Sequence, residues 1–490
     1  MMLYVLGPAI GQLINDQIIY NHFFSPLGNI PGPFLAKITT KWLTINECLG
    51  NRSLVVARAH ERYGPVIRIA PNELSFSDKS CIKDLYGNGV TFPKSPRYDG
   101  FRSTTDAAFD MTDHSKSRER RPLIRQVLAP ANIDGIEPII SDTVRKSIRW
   151  IKRAEDDSLE IVLWMRRIML DTAGTLFLGR SFNALENEKA PEFFDDLEGF
   201  FTINGLRWFA PWILTVLKLL PVRSIQHFLE AQERTYLYGR KAFDEYIKKY
   251  GRSSGRMDLL TKMASATNDQ TMTDEEIGNE LGQMLVGATD PTVIVATWML
   301  WELAQKPEWQ HRMRDELRKN SVPFPGGVPS YKDIKQLPIL NGFIMEGLRL
   351  HPAHSIGLPR IANTDTASIG GIALPKGTTV SAQSRSVHRD PEIYPSPDSF
   401  LPERWIDTNG GTKEMKDTLL VFSKGPRACL GQYTAYMELK LVVSTLMHGW
   451  ELGLARQTTE ETMRQKDYFV ALTKEGKCRL TVQPVREEKV

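Results

Sequence analysis

Apolar and polar positions follow different periods in different parts of the chain, and the changes of period divide it. The opening stretch, MMLYVLGPAIGQLINDQIIYNHFFSPLGNIPGPF, begins with an apolar run from Met1 to Ile14 that Gly7, Pro8, Gly11 and Gln12 interrupt. The run is shorter than the ~20 residues a spanning helix needs, and reads as a truncated anchor, an interfacial segment or a plain terminus. Pro26, Pro31, Gly32 and Pro33 then predict a stiff hinge. In YGPVIRIAPNELSFSD (Tyr63 to Asp78) β-branched runs flank Pro71-Asn72 and predict a short hairpin. From about Ala129 to Lys319 helical periodicity dominates, broken at YGRSSGR (Tyr250 to Arg256) by a polar, basic turn. From Ala353 to Arg404 short β-branched pieces among Gly and Pro, such as ASIGGIALPKGTTVSAQ, predict small antiparallel strands. Helix returns after Cys429.

The longest predicted helix starts in TMTDEEIGNELGQMLVGATDPTVIVATWMLWELAQ. Thr273 and Glu276 have the spacing of a capping box, and the apolar residues that follow lie on nearly all sides through Leu303, the mark of a buried helix. Pro291 falls in its middle, where the ring removes a donor and presses on the carbonyl of Gly287. A kink is expected there, with a small polar notch beside Asp290 and Thr292 suited to water or a small ligand.

Composition narrows the class. A length of 490 residues gives a prior of roughly three domains, but no low-complexity linker or repeat divides the chain. The expected plan is an apolar segment (1–25), a hinge (26–34) and one large domain (35–490), mostly α with small antiparallel β-sheets. A net charge of +4 gives no case for a nucleic-acid binder. The four cysteines, Cys48, Cys81, Cys429 and Cys478, have no C-x-x-C spacing, which removes zinc knuckles and dithiol redox motifs. A chain this long needs no disulfide framework either.

Cys429 therefore needs its own account. It lies in FSKGPRACLGQ (Phe422 to Gln432), between two glycines and two positions after Arg427. A lone thiolate binds a soft or borderline metal and leaves the other coordination positions to a cofactor, which suits haem. Gly425 and Gly431 allow the loop to pass close to a flat macrocycle with N–H groups turned to the sulfur. The helix that follows, QYTAYMELKLVVSTLMHGW, places a positive dipole end near a negative sulfur. Arg427 could pair with a propionate, and Phe422 offers an apolar cover.

The loop resembles that of the cytochrome P-450 superfamily, with Phe422, Gly425, Arg427, Cys429 and Gly431 at the family's spacings; the pattern arises by chance with a probability of about 10⁻⁴. The resemblance implies the cytochrome P-450 fold, with haem b held between the long kinked distal helix and the Cys429 loop. It extends to EGLR, whose Glu346 and Arg349 lie on one helical face beside an apolar stripe of Leu337, Leu340, Ile344 and Leu348, and to FLPERW, which supplies Arg404. Those three imply a buried network that fixes the proximal loop. HSKSR resembles the family's W-x-x-x-R helix, with His114 in place of tryptophan and Arg118 as a second propionate partner; Arg360 in GLPR is the third. In the distal helix the family's [AG]-G-x-[DE]-T-[TS] becomes Gly287, Ala288, Thr289, Asp290, Pro291, Thr292. The acid of the proton relay is kept as Asp290, while proline replaces the alcohol: either Thr292 or a water in the notch substitutes, or proton delivery is impaired or supplied by substrate groups, or the net reaction is not simple oxygen insertion.

The resemblance places the substrate pocket near Pro93 to Phe101, Phe200 to Leu217, His354 to Leu358 and Tyr468 to Leu472, segments rich in apolar side chains. LRWFAPWILTVLKLL (Leu206 to Leu220) reads as a buried helix or as an apolar lid touching a membrane. No flavin or dinucleotide segment follows the haem loop, so electrons must arrive from an NADPH-dependent reductase, for which Lys116, Arg118, Arg120, Arg121 and Arg125 offer a basic face. The implied function is a monooxygenase using O₂ on a lipophilic secondary metabolite such as a terpenoid, polyketide or alkaloid, at the cytoplasmic face of the endoplasmic reticulum. YNHFFSPLGNIPGPF and PRIANTDTASIGG are similar to members from filamentous fungi. Oxidative coupling or rearrangement without net oxygen insertion, and a haem-binding protein without turnover, are the alternatives.

Overall fold

In the computed structural model, which describes residues 17–88, 92–128, 133–154, 158–252, 259–268 and 272–485, the predicted apolar stripes are buried as helices around one dominant core. The helices that position the site are α1 (Lys41–Cys48), α2 (His114–Val127), α3 (Ile161–Leu178), α4 (Phe193–Phe209), α5 (Ala231–Tyr250), α6 (Asp274–Gln305), α7 (Pro338–Leu350) and α8 (Gln432–Gly449). Residues 1–16, the greater part of the predicted N-terminal apolar segment, and residues 253–258 of the predicted polar turn lie outside the described residues.

α6 is the axis of the molecule. The Thr273 hydroxyl accepts from the Glu276 N–H at 3.2 Å and the Glu276 carboxylate accepts from the Thr273 N–H at 2.8 Å, closing the predicted capping box. Leu281, Leu285, Met299, Leu300 and Leu303 are fully buried. Among the described residues this helix alone is long and apolar enough to cross a membrane, yet 72% of that stretch is buried inside the protein, which makes it a core helix. It continues as one element through Pro291.

α5 crosses α6 at three glycines. A Cβ on Gly278 would stand 2.7 Å from Cγ of Arg240, and one on Gly282 would stand 2.8 Å from Cα of Tyr236, while Gly239 faces the backbone of both. The absence of side chains lets the two backbones touch, and that contact sets the lateral position of the distal helix.

Among the described residues, eleven strands form four small sheets: β1 (Val66–Ala70), β2 (Glu73–Phe76), β3 (Ser158–Glu160), β4 (Arg360–Ile361), β5 (Ser368–Ile369), β6 (Ile372–Ala373), β7 (Thr379–Ala382), β8 (Trp450–Leu454), β9 (Gln465–Tyr468), β10 (Val470–Thr473) and β11 (Arg479–Pro484). The hairpin predicted around Pro71-Asn72 is β1–β2, with its register shifted between Arg68 and Ala70. One expectation is corrected. β7 pairs parallel with β2, Leu74 opposite Val380, and only its other edge, with β4, is antiparallel. Local texture predicts strands but not partners, and a parallel pair joined by a crossover of this length carries no local turn signal.

The Pro/Gly segment expected as a hinge is packed onto this sheet. The Arg68 N–H donates to Pro31 O at 2.8 Å, and the buried Arg68 guanidinium donates to Asn21 O and Ser25 Oγ, each at 3.0 Å. The chain therefore enters the domain in a fixed direction.

Replacing Gly239 by Val should destabilise the fold by about 1–3 kcal/mol through overpacking. Urea unfolding of the haem-loaded protein measures it, and a change within 0.5 kcal/mol, roughly the scatter of surface substitutions, would show that the crossing tolerates a side chain.

Candidate active site

The Cys429 loop is built by its own backbone. The Cys429 N–H donates to Phe422 O at 2.7 Å and the Ala428 N–H to Gly425 O at 3.1 Å. Gly425 has φ +64° and lies against the carbonyl of Tyr86, where a Cβ has no room. The Phe422 ring packs 5.1 Å from that of Tyr436 on α8. Gly431 precedes α8, and a Cβ there would reach to 4.0 Å from the Cys429 sulfur. Cys429 has accessible surface, yet burial pushes its thiol pKa up, opposed by the N–H groups of Gly431 and Gln432 and by the charge of Arg121. The sulfur thus faces an internal hollow, with donors arranged to favour its anion once a metal is present.

Cations crowd the edge of this hollow. Arg427 donates to Met111 O at 2.7 Å and Ala108 O at 3.4 Å, and Arg121 donates to Ala428 O. Arg360 is buried, 5.4 Å from the Tyr86 ring, and its Nε has no partner; nor has Nε of Arg121. Burial, then mutual repulsion, holds Arg427 and Arg121 at about 10 and lowers Lys94 well below its usual value; burial also lowers Arg360. His114 lines a small recess with Arg360 and Arg427. Three buried cations and the half-buried Arg427, with orphaned donors and Asp110 as the acid near Lys94, form an arrangement that a dianion would complete.

Arg118 stands apart from this group, on the exposed side of α2. The residue that reaches the loop is Arg121, almost a turn further on. Of the five basic residues read as one face, Lys116, Arg118 and Arg125 are exposed, while Arg120 turns inward to Glu276 at 2.5 Å and Arg121 to the loop. Sequence reading missed the inward role of Arg121, although its i, i+7 spacing from His114 places both on one face of α2.

Below the loop, Glu346, Arg349 and Arg404 come together. Arg349 donates to both oxygens of Glu346, at 2.8 and 2.7 Å, and Arg404 donates to Glu346 at 3.1 Å. Trp405 Nε1 and the Leu401 N–H, each at 2.9 Å, complete the carboxylate's shell. Arg349 also donates to the carbonyls of His388 (2.8 Å) and Pro397 (2.7 Å). His388 Nδ1 donates to Arg349 O at 3.1 Å, and its Nε2 accepts from the Leu420 N–H at 2.8 Å, which ties the network to the segment entering the Cys429 loop.

On the distal side, Asp290 is buried and accepts from Arg166 of α3 at 3.1 and 3.3 Å; burial raises its pKa and Arg166 lowers it. Arg166 also reaches Glu198 on α4, whose side chain is 65% exposed, so one chain of charged groups joins the interior acid to water. Thr292 does not point the same way. Its hydroxyl donates to Glu438 of α8 at 3.2 Å, a fully desolvated carboxyl pushed up to about 8. Pro291 takes the position between them. Met284, Gly287, Ala288 and Pro291, spaced three and four apart, are the less buried positions of this stretch, and nothing lies within 4 Å of where a Gly287 Cβ would be. One face of α6 therefore looks into open space. Glu438 was not foreseen, though a lone acid inside the apolar run AYMELKLVV is its signal.

A cavity of about 710 Å³ opens beside Asp290. Its walls come from α3, α4, α6 and the β9–β10 hairpin, with Phe101, Phe201, Leu206, Ile294, Phe469 and Leu472 among them. Phe469, at the hairpin tip, has φ +80°, a strained value for a non-glycine residue that its contacts with Phe101 and His354, each 5.0 Å between ring centres, hold in place. His354 supports this wall, its Nδ1–H donating to Phe469 O at 3.0 Å.

A profile of the Cytochrome P450 family matches residues 31–481, and the chain belongs to that family. Among curated proteins it is similar to the cytochrome P450 monooxygenase tazI of Aspergillus terreus (29% identical, 95% of each chain). It is also similar to the cytochrome P450 monooxygenase BOT4 of Botryotinia fuckeliana (29%, 89% of this chain and 83% of the relative) and to the benzoate 4-monooxygenase bphA of Aspergillus niger (27%, 94% and 96%). The chain is accordingly an oxidoreductase of the monooxygenase class, and membership implies haem iron and O₂. The residues present fit that group: an accessible sulfur faced by two backbone N–H donors, orphaned cationic donors at one edge and a bare glycine on a buried helix.

Replacing Arg349 by Met, which leaves Glu346 buried and short of two donors, should cost about 3–5 kcal/mol in urea unfolding. His388 supplies a pH test. Burial, then the charges of Arg349 and Arg389, lower its pKa from 6.5 to about 3, so the unfolded chain binds a proton that the folded chain refuses. Stability should therefore fall as pH drops from about 6.5 towards 3. His388→Asn should show a shallower decline of Tm between pH 7 and 5; an unchanged slope would remove His388 from the account.

Proposed function

We propose that the protein is a haem-thiolate monooxygenase that takes electrons from an NADPH-dependent reductase and oxidises an apolar secondary metabolite. The supporting observation is the accessible Cys429 sulfur, faced by the N–H groups of Gly431 and Gln432 beside the Arg121 charge. Haem, when bound, supplies the oxygen-activating iron. Cys429 would be its protein ligand, Arg427, Arg121 and Arg360 would hold its propionates with His114 at their side, and Phe422 would cover it. Gly425 and Gly431 keep the loop close, and the Glu346, Arg349, Arg404 network keeps it in place.

Asp290 is the acid of the proton relay in this reading. Arg166, tied to the exposed Glu198, stays charged and positions this acid near the solvent side. The alcohol is a different matter, because Pro291 occupies its place and the Thr292 hydroxyl is engaged by Glu438. That engagement favours a second reading, in which proton delivery is impaired or supplied by substrate groups and the net reaction is coupling or rearrangement without oxygen insertion.

The apolar cavity supports a mid-sized lipophilic substrate of the terpenoid, polyketide or alkaloid kind. Exposed Phe23, Phe24, Phe34 and Leu35, with Trp208, Trp212, Val216 and Leu219 on and beyond α4, support contact with a membrane surface, read as the cytoplasmic face of the endoplasmic reticulum. The exposed Lys116, Arg118 and Arg125 support docking of an acidic reductase.

Reduction under carbon monoxide should give a strongly red-shifted Soret band in the wild type and none in Cys429→Ala; the same spectrum in both would remove Cys429 as the ligand. Label from ¹⁸O₂ in the product is expected for hydroxylation or epoxidation under the first reading, and its appearance would overturn the second.

A further inference from the structure

The cavity contains two guanidinium groups, and both are already occupied. Arg166 is held by Asp290 and Glu198. Arg97, in the turn Pro96–Phe101, forms an ion pair with Glu47 of α1 and stands 5.5 Å from the Trp208 ring. Glu47 also accepts from Arg52 at 2.8 Å, and Arg52 reaches Glu73 at 2.7 Å, so two guanidiniums meet two carboxylates. The pair is inside the protein: Glu47 is 3% exposed and Arg97 10%. Burial lowers the Arg97 pKa to about 10, and raises that of a third carboxyl nearby, Asp467 on β9. Glu475 and Lys477, the other charged residues around the cavity, are exposed at its rim.

An arginine in an apolar cavity is otherwise a ready bidentate site for a carboxylate. Here the site is filled from within. An entering carboxylate must displace Glu47, leaving it with Arg52 alone, or remain desolvated and unpaired beside it; both outcomes are costly, and an uncharged molecule meets neither.

We propose that Glu47 is a specificity-determining residue: by neutralising Arg97 inside the cavity it reserves the site for uncharged substrates and turns carboxylates away. The proposal rests on the reading of this cavity as the substrate site, and its test reads the cavity without relying on the haem.

Equilibrium dialysis at neutral pH of the full-length haem-loaded protein against biphenyl-4-carboxylate and its methyl ester would compare the wild type with Glu47→Gln, alone and combined with Asp467→Asn or Arg97→Gln. The wild type should bind the ester at least about tenfold more tightly than the acid. Glu47→Gln should raise affinity for the acid by about 10- to 100-fold, the scale of a charged hydrogen bond, and leave the ester within about threefold. Asp467→Asn should preserve that gain and Arg97→Gln should abolish it. Should Glu47→Gln fail to fold, Glu47→Asp, which keeps the charge with a shorter reach, should give a smaller gain of the same sign. Equal binding of acid and ester by the wild type, no gain in the variants, or no binding of either probe would overturn the proposal. A missing haem-thiolate band beside normal selectivity would count against the functional reading instead.

Discussion

One carboxylate carries the proximal half of the structure. Glu346 is fully buried and receives five donors, two from Arg349 and one each from Arg404, Trp405 and the Leu401 backbone. A buried anion is tolerated only when its lone pairs are satisfied, so the segments that bring those donors are fixed to one another. Arg349 extends the constraint to the carbonyls of His388 and Pro397, and His388 passes it to Leu420, two residues before Phe422. The Cys429 loop thus takes its shape from its own backbone bonds, while a helix some eighty residues upstream helps to set its position.

The distal side is organised differently. Glycine contacts seat α6 against α5, and charged groups rather than apolar packing decide where its polar face looks. Asp290 is turned to Arg166 and Thr292 to Glu438, so the two hydroxyl and acid functions that adjoin Pro291 in sequence serve different neighbours. The Thr292–Glu438 bond joins the helix that follows the cysteine to the helix that faces it, which couples the two sides of the hollow through a buried pair. Within the cavity the same economy recurs, with every interior guanidinium matched by a carboxylate of this chain.

Much of this was legible in the sequence, and the reason is local. The capping box at Thr273, the apolar stripe before Glu346, the hairpin at Pro71-Asn72 and the glycine-flanked cysteine each depend on residues a few positions apart, where spacing alone fixes which side chains share a face. The family assignment followed from the same short motifs, and the profile match over residues 31–481 agrees with it.

What sequence spacing left open depends on partners distant in the chain. Whether Arg118 or Arg121 faces the loop is a question of helix rotation, settled by what packs against α2. The parallel pairing of β7 with β2 joins segments about three hundred residues apart, and the partners of Asp290, Thr292 and Arg97 come from α3, α8 and α1. The sequence by itself determined the element types, the metal-binding sulfur as a candidate and the class of chemistry, because those follow from local pattern. Only the tertiary structure decided which buried charges meet, because the partners lie far apart in the chain and desolvation penalises a charge left unpaired.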